Sequence, residues 1–150
     1  MRRPTLALLA ALAALAAAPA LAADPTPAPA GRTPAPKGAY CYIGWPNDGE
    51  TVRSPFKVWF GLRGMGVAPA GVEKPNTGHH HLIVDADLPP PDQPIPNNKN
   101  YLHFGGGQTE TTLDLPPGRH TLQLLLGDDK HVPFDPPVMS KKITITVAQP

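Results

Sequence analysis

Residues 111–126 read Thr-Thr-Leu-Asp-Leu-Pro-Pro-Gly-Arg-His-Thr-Leu-Gln-Leu-Leu-Leu, and this stretch indicates the fold class. Apolar and polar residues alternate on both sides of a central Pro-Pro-Gly turn, which is the pattern of half-buried β-strands. The economical prediction is a β-hairpin in which Leu122, Leu124 and Leu126 share one face. The same alternation occurs in residues 57–62 and 143–147, so strands are expected there too.

The rest of the chain supports an all-β protein. Short apolar segments are separated by Pro and Gly, and no window has a sustained helical period. We predict an immunoglobulin-like two-sheet sandwich, with a small open β-barrel as the alternative. Residues 64–78 and 88–100 form two long irregular stretches. Loops of this length in a compact domain are often functional.

The N-terminal residues predict export. Met1-Arg2-Arg3 precedes a nearly continuous Ala/Leu stretch and a small-residue cleavage site, so residues 1–22 are predicted to be a signal peptide cleaved near Ala22. Residues 23–37 are rich in Pro and Ala and predict an extended linker. Residues 38–150 then form a single β-sandwich domain. The mature protein is expected to be periplasmic or secreted.

Charge and cysteine content limit the partners. Loss of residues 1–22 leaves 11 basic against 12 acidic side chains, which does not favour nucleic acid. No later apolar stretch approaches the roughly 20 residues of a transmembrane helix. Cys41 is the only cysteine, so no intramolecular disulfide forms. It is interpreted as a buried small hydrophobe, a soft metal ligand or a site of intermolecular pairing.

Three consecutive histidines, at positions 79–81, are the feature most suggestive of chemistry, because imidazole is a common metal ligand. In a strand, His80 shares a face with Leu82 and Val84, whereas His79 and His81 lie on the other face. If Leu82 and Val84 face the core, His79 and His81 face outward and can chelate one ion. The assignment inverts if Ile83 is the core residue.

Two further histidines complete the predicted metal site. His103 precedes three glycines that give its backbone freedom, and it is the preferred third ligand. His131 lies in a loop beside Asp128 and Asp129, which are interpreted as ligands or as orienting acceptors for an imidazole. His120 follows a turn on an apolar strand face and is assigned a structural role. The predicted ligands are therefore His79, His81, His103 and His131, and the ion is copper or zinc.

Other functions remain open at this point. Adjacent histidines also occur at solvated strand ends or as hydrogen-bonded structural residues, and no zinc-enzyme spacing is present. Two serines and three glutamates form no recognisable catalytic pattern, so a binding protein is favoured over an enzyme. The alternative to a metal-binding protein is a non-catalytic binding module with structural histidines, which binds an envelope protein or polymer through residues 64–78 and 88–100. A metal-dependent hydrolase or oxidase is a third hypothesis.

Four motifs resemble a known family. They are Gly-Met-Gly-Val-Ala-Pro-Ala-Gly at 64–71, Asn-Thr-Gly-His-His-His-Leu at 76–82, Leu-His-Phe-Gly-Gly-Gly-Gln-Thr-Glu at 102–110 and Pro-Gly-Arg-His-Thr-Leu-Gln-Leu at 117–124. Together they resemble a family of small exported bacterial proteins catalogued as a domain of unknown function. The resemblance covers nearly the whole mature domain and implies export and a β-rich fold, but no activity. Proteins of the family that this chain resembles often carry histidine where it has Phe134, and this departure argues against a metal site in residues 128–137 but not against His79, His81 and His103 as ligands.

Overall fold

The computed structural model describes residues 31–149, and every regular element in that range is a β-strand. The predicted signal peptide and the first part of the predicted linker lie outside the described residues. The strands are β1 (Tyr40–Trp45), β2 (Thr51–Val52), β3 (Phe56–Arg63), β4 (Gly66–Val67), β5 (Thr77–Val84), β6 (Tyr101–His103), β7 (Glu110–Leu113), β8 (Gly118–Gly127) and β9 (Ile143–Val147).

Two sheets pack face to face. One has the order β1-β3-β7, and the other has the order β2-β9-β8-β5-β4 with β6 paired to β5 as well. Neither sheet closes on itself, so the prediction of an all-β, two-sheet sandwich is confirmed. Among residues 31–149 there is no helix that is both long and apolar enough to cross a membrane.

The main core fills the space between the sheets. β3 alternates buried Phe56, Val58 and Phe60 with exposed residues, as its sequence predicts. Cys41 belongs to the same core and is 2% exposed. Burial raises the pKa of its thiol to about 12, and the Sγ atom lies 3.6 Å from the carbonyl oxygen of Val138. Cys41 is therefore a buried, protonated thiol packed as a small hydrophobe.

The predicted hairpin over residues 111–126 is wrong. β7 pairs with β3 in the three-stranded sheet, whereas β8 pairs with β5 and β9 in the other sheet. The Pro116-Pro117 segment crosses from one sheet to the other, where its missing N–H groups are not needed for strand pairing. His120 holds this corner, because its Nε2 atom lies 2.9 Å from the Pro116 carbonyl oxygen and its Nδ1 atom 2.7 Å from Asp85 Oδ2.

β5 pairs with β8 and is buried along almost its whole length. It carries the three consecutive histidines. Leu82 and Val84 belong to the main core, so His80 points to that core as the alternation predicts. Ile83 is also buried, and it forms a second small hydrophobic cluster with Ile95 and Leu125. The expectation that Ile83 is exposed is therefore wrong, because residues 88–100 fold over the outer face of the sheet.

The end of the predicted linker contacts the domain. The Arg32 guanidinium lies 3.1 Å from Asp135 Oδ1 and donates to the carbonyl oxygens of Pro133 and Phe134. The Thr33 hydroxyl donates to Asp128 Oδ2 at 2.7 Å. Residues 32 and 33 thus hold the loop that follows β8, which carries one of the predicted metal ligands.

Candidate metal centre

Four imidazole rings meet on the outer face of the six-stranded sheet. They belong to His79, His81, His103 and His131, which we call the four-histidine cluster. The six distances between ring centroids are 4.8, 5.1, 4.9, 5.1, 6.1 and 4.8 Å. One ring nitrogen from each of His79, His81 and His103 can be chosen so that all three lie within 4.8 Å of one another. The structure therefore brings together all four residues that the sequence analysis named.

Strand pairing positions three of these rings. His79 and His81 lie two residues apart on β5, so their side chains share a face. β6 pairs with β5 so that His103 is directly opposite His81, and side chains at such positions are neighbours. The flexibility of the three following glycines was expected to bring His103 close to His79 and His81. The observed cause is the short strand β6, whose Leu102 pairs with Leu82.

Gly127 leaves the space in which the rings meet. It is the residue opposite His79 on β8. A Cβ atom placed on Gly127 would lie 2.9 Å from Cε1 of His81 and 3.3 Å from the Cα atom of His131. Any side chain at this position would therefore fill the centre of the cluster.

A tight loop presents His131. The buried Asp128 carboxylate accepts hydrogen bonds from the N–H groups of Lys130 and Val132, both at 2.9 Å, and from Thr33. The His131 N–H donates to the Asp128 carbonyl oxygen at 3.0 Å. His131 itself has a φ of 69°, in the left-handed region. Asp128 was predicted to be a ligand or an imidazole acceptor, but its oxygens are used to shape the loop.

Both long irregular stretches enclose the cluster. In residues 88–100, the Ile95 N–H donates to the carbonyl oxygen of His131 at 2.8 Å. In residues 64–78, Ala70 donates to the Gly105 carbonyl oxygen at 2.9 Å and Gly71 to that of Asp129 at 3.0 Å. These loops explain why His79 and His81 are fully buried although they lie on the outer face of the sheet.

The buried imidazoles have no hydrogen-bond partners among residues 31–149. This holds for both ring nitrogens of His79 and His81 and for Nε2 of His103. Burial lowers the pKa of His79 to about 4, and nearby His131 and His103 lower it further while Asp128 opposes them. Burial and the neighbouring rings lower the pKa of His81 to about 2, and burial followed by His131 lowers that of His103. The buried rings of the cluster are therefore neutral at pH 7, with lone pairs free to bind a cation.

The remaining two histidines lie outside the cluster. His80 points to the opposite face of β5, where its ring packs 5.4 Å from that of Phe60. Burial lowers the pKa of His80 to about 4, and the backbone of Gln108 and Gly61 opposes the shift. His120 lies at the other end of β8 and has the structural role that was predicted for it.

The arrangement of the four rings is closer to a tetrahedron than to a square. An imidazole nitrogen about 2.0–2.1 Å from an ion puts the ring centroid about 3.2 Å away, so four tetrahedral ligands have centroids about 5.2 Å apart. A square-planar set would have four separations of about 4.5 Å and two of about 6.4 Å. Five of the observed separations lie between 4.8 and 5.1 Å, and the sixth is 6.1 Å.

No sulfur ligand accompanies the imidazoles within the described part of the chain. Met65 packs against the main core, and Met139 packs against Ile83 and its neighbours. Cys41 lies in the main core. The group of potential ligands consists of histidines alone. Sequence reasoning identified these histidines but missed Gly127 and the role of Asp128, for which the only sequence signal was the Gly-Asp-Asp turn after an apolar strand.

Gly105→Ala is expected to weaken metal binding by at least tenfold while leaving the fold intact. A Cβ atom on Gly105 would collide with Cε1 and Nε2 of the His103 ring, so that ring must move out of the cluster. Gly106→Ala is the matched control, because its Cβ atom meets only the flexible amide of Gln108. Titration of both variants with zinc checks the prediction. Equal affinities would show that the position of His103 does not matter.

His120→Gln is expected to destabilise the protein by about 1 kcal/mol at pH 5.5 and by much less at pH 8.5. Burial lowers the pKa of His120, but the hydrogen bonds to Asp85 and Pro116 outweigh it and raise the pKa overall. The stabilisation is therefore present below the unfolded-state value and is lost as the pH rises through the raised one. Urea unfolding of both proteins at the two pH values measures it. A constant difference would contradict a charged His120.

Comparison with known proteins identifies a family for this chain but no activity. The family model described as "Domain of unknown function (DUF4399)" matches residues 58–148. No curated protein matches the chain. Among solved structures, an endo-beta-1,4-mannanase from Thermotoga petrophila matches at 19% identity with a TM-score of 0.45. The match covers 75% of this chain and 20% of the mannanase chain, so this chain spans about a fifth of that structure.

Proposed function

We propose a metal-binding function for this chain, which belongs to the family described as a domain of unknown function, DUF4399. In this proposal the protein acts outside the cytoplasm and holds one transition-metal ion between His79, His81, His103 and His131. One observation carries it. Buried nitrogens of three neighbouring imidazoles, those of His79, His81 and His103, have no hydrogen-bond partner among the described residues, and potential ligand atoms of the three rings lie within 4.8 Å of one another.

An unpartnered buried polar group costs free energy, and three neighbouring rings of the cluster, those of His79, His81 and His103, each carry at least one such nitrogen. His120 avoids this cost by hydrogen bonding to Asp85 and Pro116. Both ring nitrogens of His79 and His81 and Nε2 of His103 have no such partner among the described residues. The ring nitrogens of His80, on the opposite face of β5, also lack one, but His80 has no second histidine ring beside it on that face. A bound cation would satisfy the lone pairs of the cluster together, which is the strongest support for a metal site over a purely structural cluster.

The ligand set favours zinc or copper. Imidazole nitrogens suit both metals, and neither carboxylates nor waters are needed to complete a tetrahedral site. The near-tetrahedral arrangement favours Zn(II) or Cu(I) over Cu(II), which prefers tetragonal geometry. Four protein ligands also leave no open coordination position, as in structural zinc sites. A carrier or buffer of metal ions therefore fits better than a metal-dependent enzyme.

Metal analysis of the purified protein tests the proposal. The protein is expressed from the full chain without a polyhistidine tag, and bound metals are measured by mass spectrometry. We expect about one zinc or copper ion per chain, and none in the variant His79→Ala/His81→Ala/His103→Ala. Circular dichroism confirms that the variant is folded. Absence of metal both as isolated and after incubation with Zn(II), Cu(II) or reduced copper would refute the proposal.

A second candidate is a binding module for an envelope protein, favoured by the exposed aromatic face of the three-stranded sheet. Tyr40, Tyr42 and Trp59 are 44–50% exposed on this face. The Tyr42 ring lies across Gly61, its partner on β3, where any side chain would overlap it. Tyr and Trp are enriched at protein interfaces, where they act as anchors. This surface is a better candidate interface than residues 64–78 and 88–100, which enclose the histidines.

Capture of a partner that depends on these aromatic residues would support the second candidate. The wild-type protein, a Tyr42→Ser/Trp59→Ser variant and the triple histidine variant are each used as bait, and the captured protein is then purified and titrated against all three. Binding lost only in the aromatic variant supports an interface on this face. Binding lost only in the histidine variant, or no binding by any bait, refutes it.

A further inference from the structure

We propose that His131 is the exchangeable ligand of the four-histidine cluster, and that the ion enters and leaves on the His131 side. This inference rests on the proposed metal-binding function. It assigns unequal roles to four residues that are chemically identical, and the basis is how each is held by the fold.

Three of the ligands are fixed by strand pairing. His79 and His81 lie on β5, which pairs with β8 on one side and with β6 and β4 on the other. Both side chains are completely buried. His103 lies on β6 and is held in register opposite His81. Their backbone cannot move away from the cluster without breaking sheet hydrogen bonds, so these three form a rigid set.

His131 is held differently. It lies in the loop that follows β8. An isolated β-bridge between Gly127 and Pro133 joins the two ends of this loop. The His131 backbone makes two hydrogen bonds, to Asp128 and from Ile95, and neither belongs to a strand. His131 is only partly buried, as His103 is, but it has no strand partner. Rotation of the His131 side chain can therefore withdraw this imidazole while the sheet and the loop stay intact.

The distances also set His131 apart. Its centroid is 6.1 Å from that of His81, the longest of the six separations, although it is 4.9 Å from that of His79 and 4.8 Å from that of His103. The compact set of ligand atoms contains His79, His81 and His103 but not His131. The cluster is thus a set of three with a fourth ring beside it. Withdrawal of that ring would leave a three-coordinate ion with one position open to an incoming ligand.

The incoming ligand must be a donor that competes with imidazole. A histidine or cysteine side chain of an acceptor protein has this chemistry. Exchange of His131 for such a donor transfers one coordination bond at a time, without release of a bare ion. In this way a buried site can bind tightly and still pass its ion on, since only one of its four ligands has to leave first.

The variant His131→Gly tests the proposal, because glycine adopts the backbone conformation found at this position, with its φ of 69°, at no steric cost. The wild-type protein, His131→Gly and His79→Ala are loaded with Zn(II), and release to a chromogenic chelator is timed with and without 10 mM imidazole. Loading with Co(II) reports the coordination number through its visible spectrum.

We expect His131→Gly to bind one ion per chain, to release it at least tenfold faster than wild type, and to regain slow release and a four-coordinate Co(II) spectrum when imidazole is added. His79→Ala is expected to lose binding with no rescue. Wild-type release rates in His131→Gly would overturn the inference alone, and so would loss of binding that imidazole does not restore. A wild-type protein that binds no ion would overturn both this inference and the proposed function.

Discussion

Acidification from pH 7 to pH 5 is expected to destabilise the metal-free protein by an amount on the order of 5 kcal/mol. The cause is the three consecutive histidines of β5. Burial, followed by neighbouring rings for two of them, lowers the pKa of His79 and His80 to about 4 and that of His81 to about 2. In the unfolded chain the same side chains titrate near 6.5.

The direction of this change in the free energy of unfolding follows from proton binding by the unfolded chain. Between pH 6.5 and about 4 the unfolded chain binds protons at these positions and the folded protein does not, so the free energy of unfolding falls as the pH falls. Each histidine contributes at most about 1.4 kcal/mol per pH unit over this range. A total stability of about 5–15 kcal/mol is typical of a domain, so this loss removes about a third of it or more.

Urea unfolding at half-unit steps from pH 7.5 to pH 5 measures the effect on protein stripped of metal with a chelator. The variant His81→Leu removes one of the three groups and should reduce the slope of stability against pH. His120→Gln serves as the opposite control, because the raised pKa of His120 gives a contribution of the other sign. A wild-type stability that does not change between pH 6.5 and pH 5 would contradict the burial of neutral histidines.

The orientation of the histidines on β5 could be predicted because it depends on local alternation. Once Leu82 and Val84 are placed in the core, His80 follows them, and His79 and His81 take the other face. The burial of that other face could not be predicted from the strand itself. It depends on Ile95 and the rest of residues 88–100, whose sequence has no period and gives no indication of where it folds.

Pairing between distant segments accounts for the main error. Residues 111–126 have the pattern of a hairpin, but the pattern reports only which side chains are buried and not which strand lies next to which. β7 pairs with β3, more than fifty residues earlier in the chain. Lys57 on β3 and Glu110 on β7 form an exposed ion pair between the two strands, at 2.9 Å. Such choices are made by packing of the whole sandwich.

The candidate site also has a part that could be predicted from the sequence and a part that could not. The choice of His79, His81, His103 and His131 followed from residue type and spacing. Their convergence depends on Gly127, which lacks a side chain opposite His79, and on Asp128, which folds the next loop back toward the sheet. A single sequence does not distinguish these two residues from an ordinary Gly-Asp turn, because their importance lies in what surrounds them.

Addition of zinc to the metal-free protein at pH 7.5 is expected to raise the midpoint of thermal unfolding by about 10 °C or more. A ligand present at 1,000 times its dissociation constant stabilises the folded state by about 4 kcal/mol if it binds only that state. The four-histidine cluster exists only when β5, β6 and the loop after β8 are assembled, so the unfolded chain offers no comparable site. Burial holds the pKa of His79 near 4 and that of His81 near 2, so no proton has to leave these two ligands at this pH.

Comparison of three proteins separates site-specific stabilisation from adventitious binding. His120→Gln keeps the four-histidine cluster and should show the full shift in melting temperature. His79→Ala/His81→Ala/His103→Ala should show none, and magnesium should have no effect on any of them because it prefers oxygen ligands. An equal zinc shift in the triple variant would place the stabilising ion elsewhere. A shift confined to proteins with the intact cluster would instead mean that the metal binds the buried, unpartnered nitrogens of these histidines.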